Sequence, residues 1–116
     1  MMSAPLPTDE AARLRCLRSL EILDAPPDPT LDAITRAAAA LLDCPIVLVS
    51  LVDDQRQFFL SRHGIDASET PREIAFCAHA ILGDEALVVE DAIADDRFAD
   101  NPLVVGMPGG RFYAGE

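Results

Sequence analysis

The first part of the chain carries two segments in which apolar residues recur at helical spacing. In the first, residues 9–22, Thr8 is placed to cap the N-terminus, and Asp9 and Glu10 fall in the first turn, where the helix dipole favours negative charge. A narrow apolar stripe follows at Leu14, Leu17 and Leu20. The Pro26-Pro27 pair then breaks the pattern. We predict a helix over residues 9–22.

The second segment has a stronger helix signature at its start. Asp28 is a good N-cap residue, and Pro29 suits the first helical position because its missing N–H would be unpaired there anyway. Asp32 and Arg36 are spaced i,i+4, which favours an ion pair on the outer side. Cys44-Pro45 ends the helix. The predicted inward face comprises Leu31, Ile34, Ala38, Leu41 and Leu42.

A β-hairpin is predicted directly after this helix. Ile46–Val52 is apolar at nearly every position, which is typical of a strand covered on both faces. Residues 53–56 are polar and make a tight turn into a second strand, Gln57–Arg62, which ends before His63-Gly64. Two adjacent strands joined by so short a turn pair antiparallel.

The clearest local signal is the run Thr70-Pro71-Arg72-Glu73. Thr70 is placed as the N-cap, Pro71 occupies the first helical position, and Glu73 completes a capping box. We predict a third helix that runs to Leu82 and is closed by Gly83. Its predicted inward residues are Ile74, Cys77, Ala78 and Ile81.

The remaining pattern is shorter and more irregular. Ala86–Glu90 is a short strand, 91–101 is acidic with one helical turn at most, and 106–110 forms a loop before a last strand at Arg111–Ala114. Helices layered on a hairpin and further strands indicate an α+β fold with an antiparallel sheet. The residues predicted to be largely buried are Leu31, Ile34, Leu41, Val47, Val49, Leu51, Ile74, Cys77 and Ile81.

Charge narrows the choice of partners. The 116-residue chain has a net charge of −11, which repels phosphate backbones and anionic membranes, so we expect no nucleic-acid and no membrane partner. Its N-terminus lacks the apolar core of a signal peptide, and no apolar stretch reaches the roughly 20 residues of a membrane span. Three widely spaced cysteines fit reduced thiols in a cytoplasm better than a disulfide framework.

Common catalytic and metal-binding signatures are missing from the sequence. Cys77 and His79 lie close in sequence, but positions i and i+2 of a helix point about 200° apart, so a buried Cys77 is favoured over a nucleophile. A zinc site would need Cys44 and His63 to join them, with no ligand spacing to support it. We therefore predict no metal site and no catalytic residue. The acidic run at Asp91, Asp95, Asp96 and Asp100 is favoured as a solvated loop over a cation site.

Several sequence blocks, in order, resemble one group of GAF domains of bacterial signalling proteins. The blocks span about residues 20–115, and together they are far more specific than any one alone. They are Ile46–Asp53, Glu69–Glu73, Phe76–Ile81, Val88–Ala92, Asp96–Val104 and Arg111–Gly115. Domains of this group usually lie at the N-terminus of sensor histidine kinases of two-component systems, diguanylate cyclases and related proteins.

The resemblance implies a GAF-like fold related to profilin and PAS domains. Its antiparallel sheet of six strands has helices on both faces, with residues 1–27 forming an N-terminal helix and linker and 28–116 a partial GAF domain. A small-molecule pocket is expected beneath the helix 76–81 and the loop 91–110. The ligand-binding residues that it implies are Phe76, Cys77, His79, Asp91, Arg97, Phe98, Asn101, Arg111 and Tyr113. The ligand and any cofactor stay unknown.

Two departures from the family pattern affect the expectations. Relatives continue for some thirty residues after the Arg111–Gly115 block, so the last strands and the closing helix are expected to be missing here. An apolar strand Ile46–Val52 left without its neighbour invites pairing with a second chain, and we expect a homodimer by strand pairing or swapping. Ala78 stands where bilin-binding relatives have a His directly after the attaching Cys, which argues against a covalent chromophore.

Three functions compete at this point. The leading one is a cytoplasmic sensory module, itself non-catalytic, that binds a small ligand or mediates dimerisation and controls an output domain such as a histidine kinase or diguanylate cyclase. The alternative is a thiol-dependent GAF-fold reductase of the methionine sulfoxide type, for which Cys44 and Cys77 are the candidates. The third is a dimerisation module in which helix 9–22 pairs across a twofold axis without any ligand.

Overall fold

Two helices and three strands come first along the chain, and shorter helices and strands follow. The computed structural model describes residues 3–106 and 111–116. Its helices are α1 (Glu10–Ser19), α2 (Pro29–Leu42), α3 (Cys77–Ala80) and α4 (Pro102–Val105). Its strands are β1 (Val47–Val52), β2 (Arg56–His63), β3 (Glu69–Pro71), β4 (Leu87–Val89) and β5 (Tyr113–Gly115). Single 3₁₀ turns lie at Arg72–Ile74 and Ala92–Ala94. Most of the predicted loop 106–110 lies outside the described residues.

Helix α2 begins and ends where the sequence predicts. The carboxylate of Asp28 accepts hydrogen bonds from the backbone N–H groups of Thr30 and Leu31, and Pro29 occupies the first turn. At the other end Asp43 has a φ of 51° and leaves the helix in the left-handed conformation. The local capping chemistry therefore sets both ends of this helix.

The predicted hairpin is confirmed. Strands β1 and β2 pair antiparallel, with Val47 opposite His63 and Val52 opposite Gln57, and the register shifts between Val49 and Ser50. The pairing skips Leu60, so the extra residue of this irregularity lies on β2, opposite the step from Val49 to Ser50.

The face that α2 turns to the sheet differs from the predicted one. Thr35 and Ala39 are its buried residues, and the hydroxyl of Thr35 lies 3.1 Å from that of Ser61 on β2. Ser61 in turn donates to the carboxylate of Asp32 at 2.7 Å. Hydrogen bonding between helix and strand therefore turns the Thr35 and Asp32 side inward.

Two consequences correct the sequence predictions for α2. Ile34, Leu41 and Leu42, predicted to face inward, are 56%, 85% and 69% exposed. Asp32 faces β2, and the predicted ion pair between Asp32 and Arg36 does not form. The other residues of the predicted core, from Leu31 to Ile81, are half-buried.

The predicted helix from Pro71 to Leu82 is also wrong over most of its length. Residues 69–71 form β3 instead, because they pair antiparallel with β2 and place Thr70 opposite Gln57. A 3₁₀ turn and the one-turn helix α3 follow. The capping box does not form, since the hydroxyl of Thr70 is buried without a hydrogen-bond partner and Glu73 is exposed. Strand pairing has overridden a local helix signal here.

The strands form two antiparallel sheets. One has the order β1-β2-β3 and the other pairs β4 with β5. Strands β1 and β5 therefore each have one edge that pairs with no strand of the described residues. Where the family resemblance implies one sheet of six strands, the described residues thus form five strands in two sheets.

The tightest part of the core lies beside the smaller sheet. Phe98 and Ala92 are fully buried, and they pack with Phe76, Val89 and Val104. Leu87, Leu103 and Tyr113 lie partly buried against this cluster. The core thus joins α3, β4, α4 and β5 into one body.

Helix α1 is attached mainly through charged side chains, because none of its residues is fully buried. Glu10 accepts from both Arg13 and Arg72, and Arg72 also donates to the backbone carbonyl of Asp53 at 3.1 Å. The guanidinium of Arg13 donates to the carbonyl of Val52 at the end of β1. The Arg72 bonds hold the pKa of Glu10 down at about 2. Among the described residues, no helix is long and apolar enough to span a bilayer.

Candidate functional site

The thiol of Cys77 lies between two hydroxyl groups that come from different sheets. Ser50 of β1, which lies beside the register shift against β2, donates a hydrogen bond to Sγ over 3.2 Å. The phenol oxygen of Tyr113, the first residue of β5, lies 3.2 Å from the same sulfur. Cys77 is the first residue of α3, so this helix places its thiol where the two sheets approach each other.

Among Ser50, Cys77 and Tyr113, it is Tyr113 whose pKa is clearly shifted. Burial raises the pKa of its phenol well above the ordinary value, and the charge and hydrogen bond of the Cys77 side chain raise it further. The phenol is therefore neutral at physiological pH and keeps its O–H as a hydrogen-bond donor. A neutral donor that is only partly buried can bind a polar group of a small molecule.

Aromatic rings pack next to the Cys77 thiol and the Tyr113 phenol on the side of the core. The ring of Phe76 stacks on that of Phe98 with centroids 4.2 Å apart, and Tyr113 tilts against Phe76 at 5.1 Å. His79 meets the ring of Phe98 edge-on at 4.8 Å. Five of the nine residues predicted to bind ligand, Phe76, Cys77, His79, Phe98 and Tyr113, therefore form one cluster. The chain brings them together because α3 packs on Phe98 and β5 lies beside it.

Arg97 lies at the edge of the same cluster but is engaged elsewhere. Its guanidinium forms a fork to the carboxylate of Asp95, with N–O distances of 3.0 and 2.7 Å, and lies over the ring of Phe98 at 5.1 Å. These bonds lower the pKa of Asp95, and the charge of His79 adds a smaller effect. Arg97 therefore ion-pairs within the loop, and its fork is occupied.

Asn101 has a well-defined structural role. It is 2% exposed, its amide donates to the carbonyl of Ile74 at 2.9 Å, and its oxygen accepts from the N–H of Leu103. It thus caps α4 and ties this helix to the 3₁₀ turn that precedes α3. Asn101 therefore holds α4 in its position next to the aromatic cluster.

Asp91 and Arg111 lie next to each other at the rim. The Asp91 carboxylate caps the 3₁₀ turn by accepting from the N–H of Ile93, and the N–H of Ala92 donates to the carbonyl of Arg111. Both side chains are exposed. The structure therefore places these two predicted residues at the border of the cluster.

Ser50 belongs to the site and was missed from the sequence. It stands inside an apolar strand, where a lone serine carries no motif, and its contact with Cys77 joins two distant parts of the sequence. A polar residue in a strand that is otherwise apolar on both faces was the one available signal. Such residues need a partner when they are covered.

Two open clefts lie away from this cluster. One, of about 550 Å³, is lined by the β1–β2 turn, β3 and Arg18. The other, of about 470 Å³, is lined mainly by residues 25–29 together with Ile22, Leu31 and Leu60. Within residues 3–106 and 111–116, no group of three or more His, Cys, Asp or Glu side chains is arranged to hold a metal ion.

Comparison with known families decides the classification. The family model of the GAF domain matches residues 26–115, which is most of the chain. The chain belongs to the GAF domain family. The α+β architecture, with helices and antiparallel sheets, agrees with this membership.

A curated relative of this GAF domain is a signalling protein. It is a cyclic di-GMP phosphodiesterase of Pseudomonas aeruginosa, 44% identical over 115 residues, which cover 99% of this chain and 20% of the relative. The chain thus spans about a fifth of the length of that enzyme. GAF domains are generally regulatory modules, so membership and relationship together place the chain among the regulatory modules of signalling proteins.

Proposed function

We propose that this GAF domain is a cytoplasmic sensory module of bacterial signal transduction, which binds a small ligand beside Cys77 and controls an output domain. The observation that carries the proposal is the convergence of Ser50, Cys77 and Tyr113 from three separate elements. A ligand that hydrogen-bonds to Tyr113 or Cys77 changes the contact between α3 and the two sheets. Ligand binding beside Cys77 is thereby coupled to the way in which α3 and the two sheets pack.

The charges around the cluster favour a neutral or cationic ligand. Arg97 is paired with Asp95, and the exposed carboxylates of the neighbouring loop, Asp91, Asp96 and Asp100, outnumber the exposed Arg111. The net charge of −11 adds a general repulsion for anions. We therefore propose a small polar molecule without phosphate groups, held by Tyr113 and the Cys77 thiol and covered on one side by the aromatic rings.

The proposed output is an enzyme of cyclic di-GMP metabolism. The support is the relationship to a cyclic di-GMP phosphodiesterase, of which this GAF domain matches only a fifth. A phosphodiesterase or a diguanylate cyclase fits this proposal best, and a histidine kinase is the other output class expected from the sequence. In each case the GAF domain senses and the output domain catalyses.

Thermal unfolding of the purified chain tests the ligand site. The panel contains free amino acids, nucleobases and polyamines, with cyclic di-GMP and cyclic AMP as anionic members. A neutral or cationic compound at 100 times its Kd should raise the free energy of unfolding by about 2.7 kcal/mol. Tyr113→Phe should reduce this gain, because it removes only the hydroxyl.

Ser50→Ala should weaken binding in the same assay, and Ser68→Ala is its matched control because Ser68 is exposed. Stabilisation by the cyclic nucleotides alone would contradict the proposed ligand class. Equal stabilisation of the parent chain and of Tyr113→Phe by every active compound would place the site elsewhere.

The reductase alternative has less support. The Cys44 thiol contacts the carbonyl of Leu42 at the end of α2, whereas the Cys77 thiol contacts Ser50 and Tyr113. An attacking and a resolving cysteine need to meet directly. Thiol-dependent reduction of free methionine sulfoxide by the chain, lost in Cys77→Ser, would favour the reductase over the sensor.

A further inference from the structure

The segment of residues 69–82 is held in a conformation that its own sequence does not favour. The run Thr70–Glu73 has the signature of a helix start, but the first residues of the segment form the edge strand β3, which is three residues long. The Thr70 hydroxyl and the side-chain oxygen of Gln57 opposite to it are both buried without a hydrogen-bond partner among the described residues. Each unpaired group destabilises the strand conformation, because it has given up its hydrogen bonds to water.

Most of the backbone after β3 is already close to a helix. Arg72–Ile74 form a 3₁₀ turn, and Cys77–Ala80 form α3. Pro71 and Ala75 interrupt this helical path, with φ and ψ of −58° and 140° at Pro71 and of −77° and 127° at Ala75. Both φ angles suit an α-helix, for which φ is about −63° and ψ about −42°. Rotation about ψ at these two residues, with a slight change in the 3₁₀ turn, therefore makes the path one continuous helix.

We propose that residues 69–82 are a two-state segment, in which β3 and α3 exchange with a single longer helix that begins at Pro71. In the helical state the Thr70 hydroxyl accepts from a backbone N–H of the first turn, and Glu73 completes the capping box. The hydroxyl that is unpaired in β3 thereby gains a partner. Ala75 is the hinge between the 3₁₀ turn and α3, and such hinges are few residues that absorb a large change of one dihedral angle. Local sequence and tertiary contacts disagree here, which brings the two conformations close in free energy.

Arg72 holds the segment in the strand state. Its backbone N–H donates to the carbonyl of Gln55 at 3.1 Å, and its guanidinium donates to Glu10 of α1 and to the carbonyl of Asp53. Because Arg72 lies between the two rotating residues, the helical state gives up these bonds. The strand state thus keeps α1 attached, and the helical state loosens it.

Cys77 connects the same segment to the candidate site. It follows the hinge Ala75 by two residues, and its thiol contacts Ser50 of β1 and Tyr113 of β5. These contacts anchor α3 while Ala75 stays extended. A small molecule that takes over the hydrogen bonds of the thiol frees α3 and favours the helical state. This last step rests on the proposed sensory function, whereas the exchange of the segment needs no ligand.

Nuclear magnetic resonance of the purified chain tests the exchange without any added compound. Relaxation dispersion over residues 70–76 should show a minor state with helical Cα shifts, on the microsecond to millisecond timescale. Thr70→Val should lower the population of this state at least about fivefold, the factor that a lost helix cap gives. Glu73→Lys should lower it too, because it removes the capping box and places a positive charge at a helix N-terminus. Its matched control is Glu85→Lys, since both glutamates are exposed and only Glu73 belongs to the segment.

Two variants should act in the opposite direction. Glu10→Gln and Ser50→Ala each remove a contact of the strand state and should raise the minor population at least about fivefold, with the exposed Ser68→Ala as control. Absence of dispersion in the parent chain and in both variants would overturn the proposal, and so would equal minor populations in Glu73→Lys and Glu85→Lys. Exchange that persists in a chain that binds no compound of the thermal panel would support the two-state segment and contradict the sensory function.

Discussion

At the scale of single residues, Tyr113 is an intrinsic spectroscopic probe of the candidate site. It is the one tyrosine of the sequence, which has no tryptophan, and its hydroxyl lies 3.2 Å from the Cys77 sulfur. Its ultraviolet absorption and its fluorescence therefore arise at the site itself. This makes the local environment of the site directly measurable.

The first prediction concerns the ionisation of this phenol. Its pKa is raised, chiefly by burial, so more than half of it should remain protonated at pH of about 11, where an exposed tyrosine is largely ionised. Absorbance of the phenolate during an alkaline titration measures this, with circular dichroism as the check that the fold persists. Cys77→Ala should lower the midpoint in part, and an ordinary midpoint in the parent chain would show that Tyr113 is not buried against Cys77.

A second prediction separates two threonines. Thr70 has a buried hydroxyl without a partner, so Thr70→Val should leave the free energy of unfolding unchanged or raise it. Thr35→Val is the matched change, and it should cost about 1 kcal/mol because it removes the hydrogen bond with Ser61. Denaturant titration compares the two variants. A loss for Thr70→Val as large as for Thr35→Val would favour the capping box that the structure lacks.

At the scale of elements, one carboxylate of α1, that of Glu10, joins this helix to Arg72. Glu10 has a pKa of about 2 because it accepts from Arg72 and Arg13. A lowered pKa means that the charged form stabilises the folded chain above the usual glutamate pKa, near 4.5. This contribution is lost as the pH falls from about 4.5 towards 2.

The third prediction follows from that attachment. Glu10→Gln should lower the free energy of unfolding by about 1–3 kcal/mol at neutral pH and should speed amide exchange in α1. The stability of this variant should also fall less than that of the parent chain as the pH drops below 4.5. Glu21→Gln, an exposed change just after α1, is the control. Equal exchange in both variants would show that Glu10 does not hold the helix.

The sequence was sufficient where local chemistry decides the element. The Asp28 cap and Pro29 placed α2, and the polar turn after β1 placed the hairpin. It failed at Thr70–Glu73, because the pairing of Thr70 with Gln57 is a long-range contact that the local helix signal does not reveal. The inward side of α2 was missed for a similar reason, since its partner Ser61 lies on β2.

For the candidate site, sequence likeness named residues of which several lie together in the structure, and the geometry shows which of their groups are already paired. Phe76, Cys77, Phe98 and Tyr113 converge as the resemblance implies, whereas Arg97 pairs with Asp95 inside its own loop. Ser50 could not be found, because its contact with the sulfur joins residues 27 positions apart in the sequence. A motif identifies residues that are near one another, but it does not say which of their groups are already paired.

At the scale of the whole molecule, Cys77 links two sheets that are otherwise separate. Strands β1 and β5 belong to different sheets, and both reach the same thiol. The outer edge of β1 pairs with no strand among the described residues, so pairing of this edge with a second chain stays the route to the homodimer expected from the sequence.

The central claim is that this GAF domain binds its ligand beside Tyr113, and titration of tyrosine fluorescence tests it most directly. Each compound that stabilises the chain in the thermal panel is titrated while the emission of Tyr113 is followed. We predict a saturable change in emission at the concentrations that raise the unfolding temperature. A compound that stabilises the chain to saturation while the emission stays constant would contradict the account and would place its site away from Cys77.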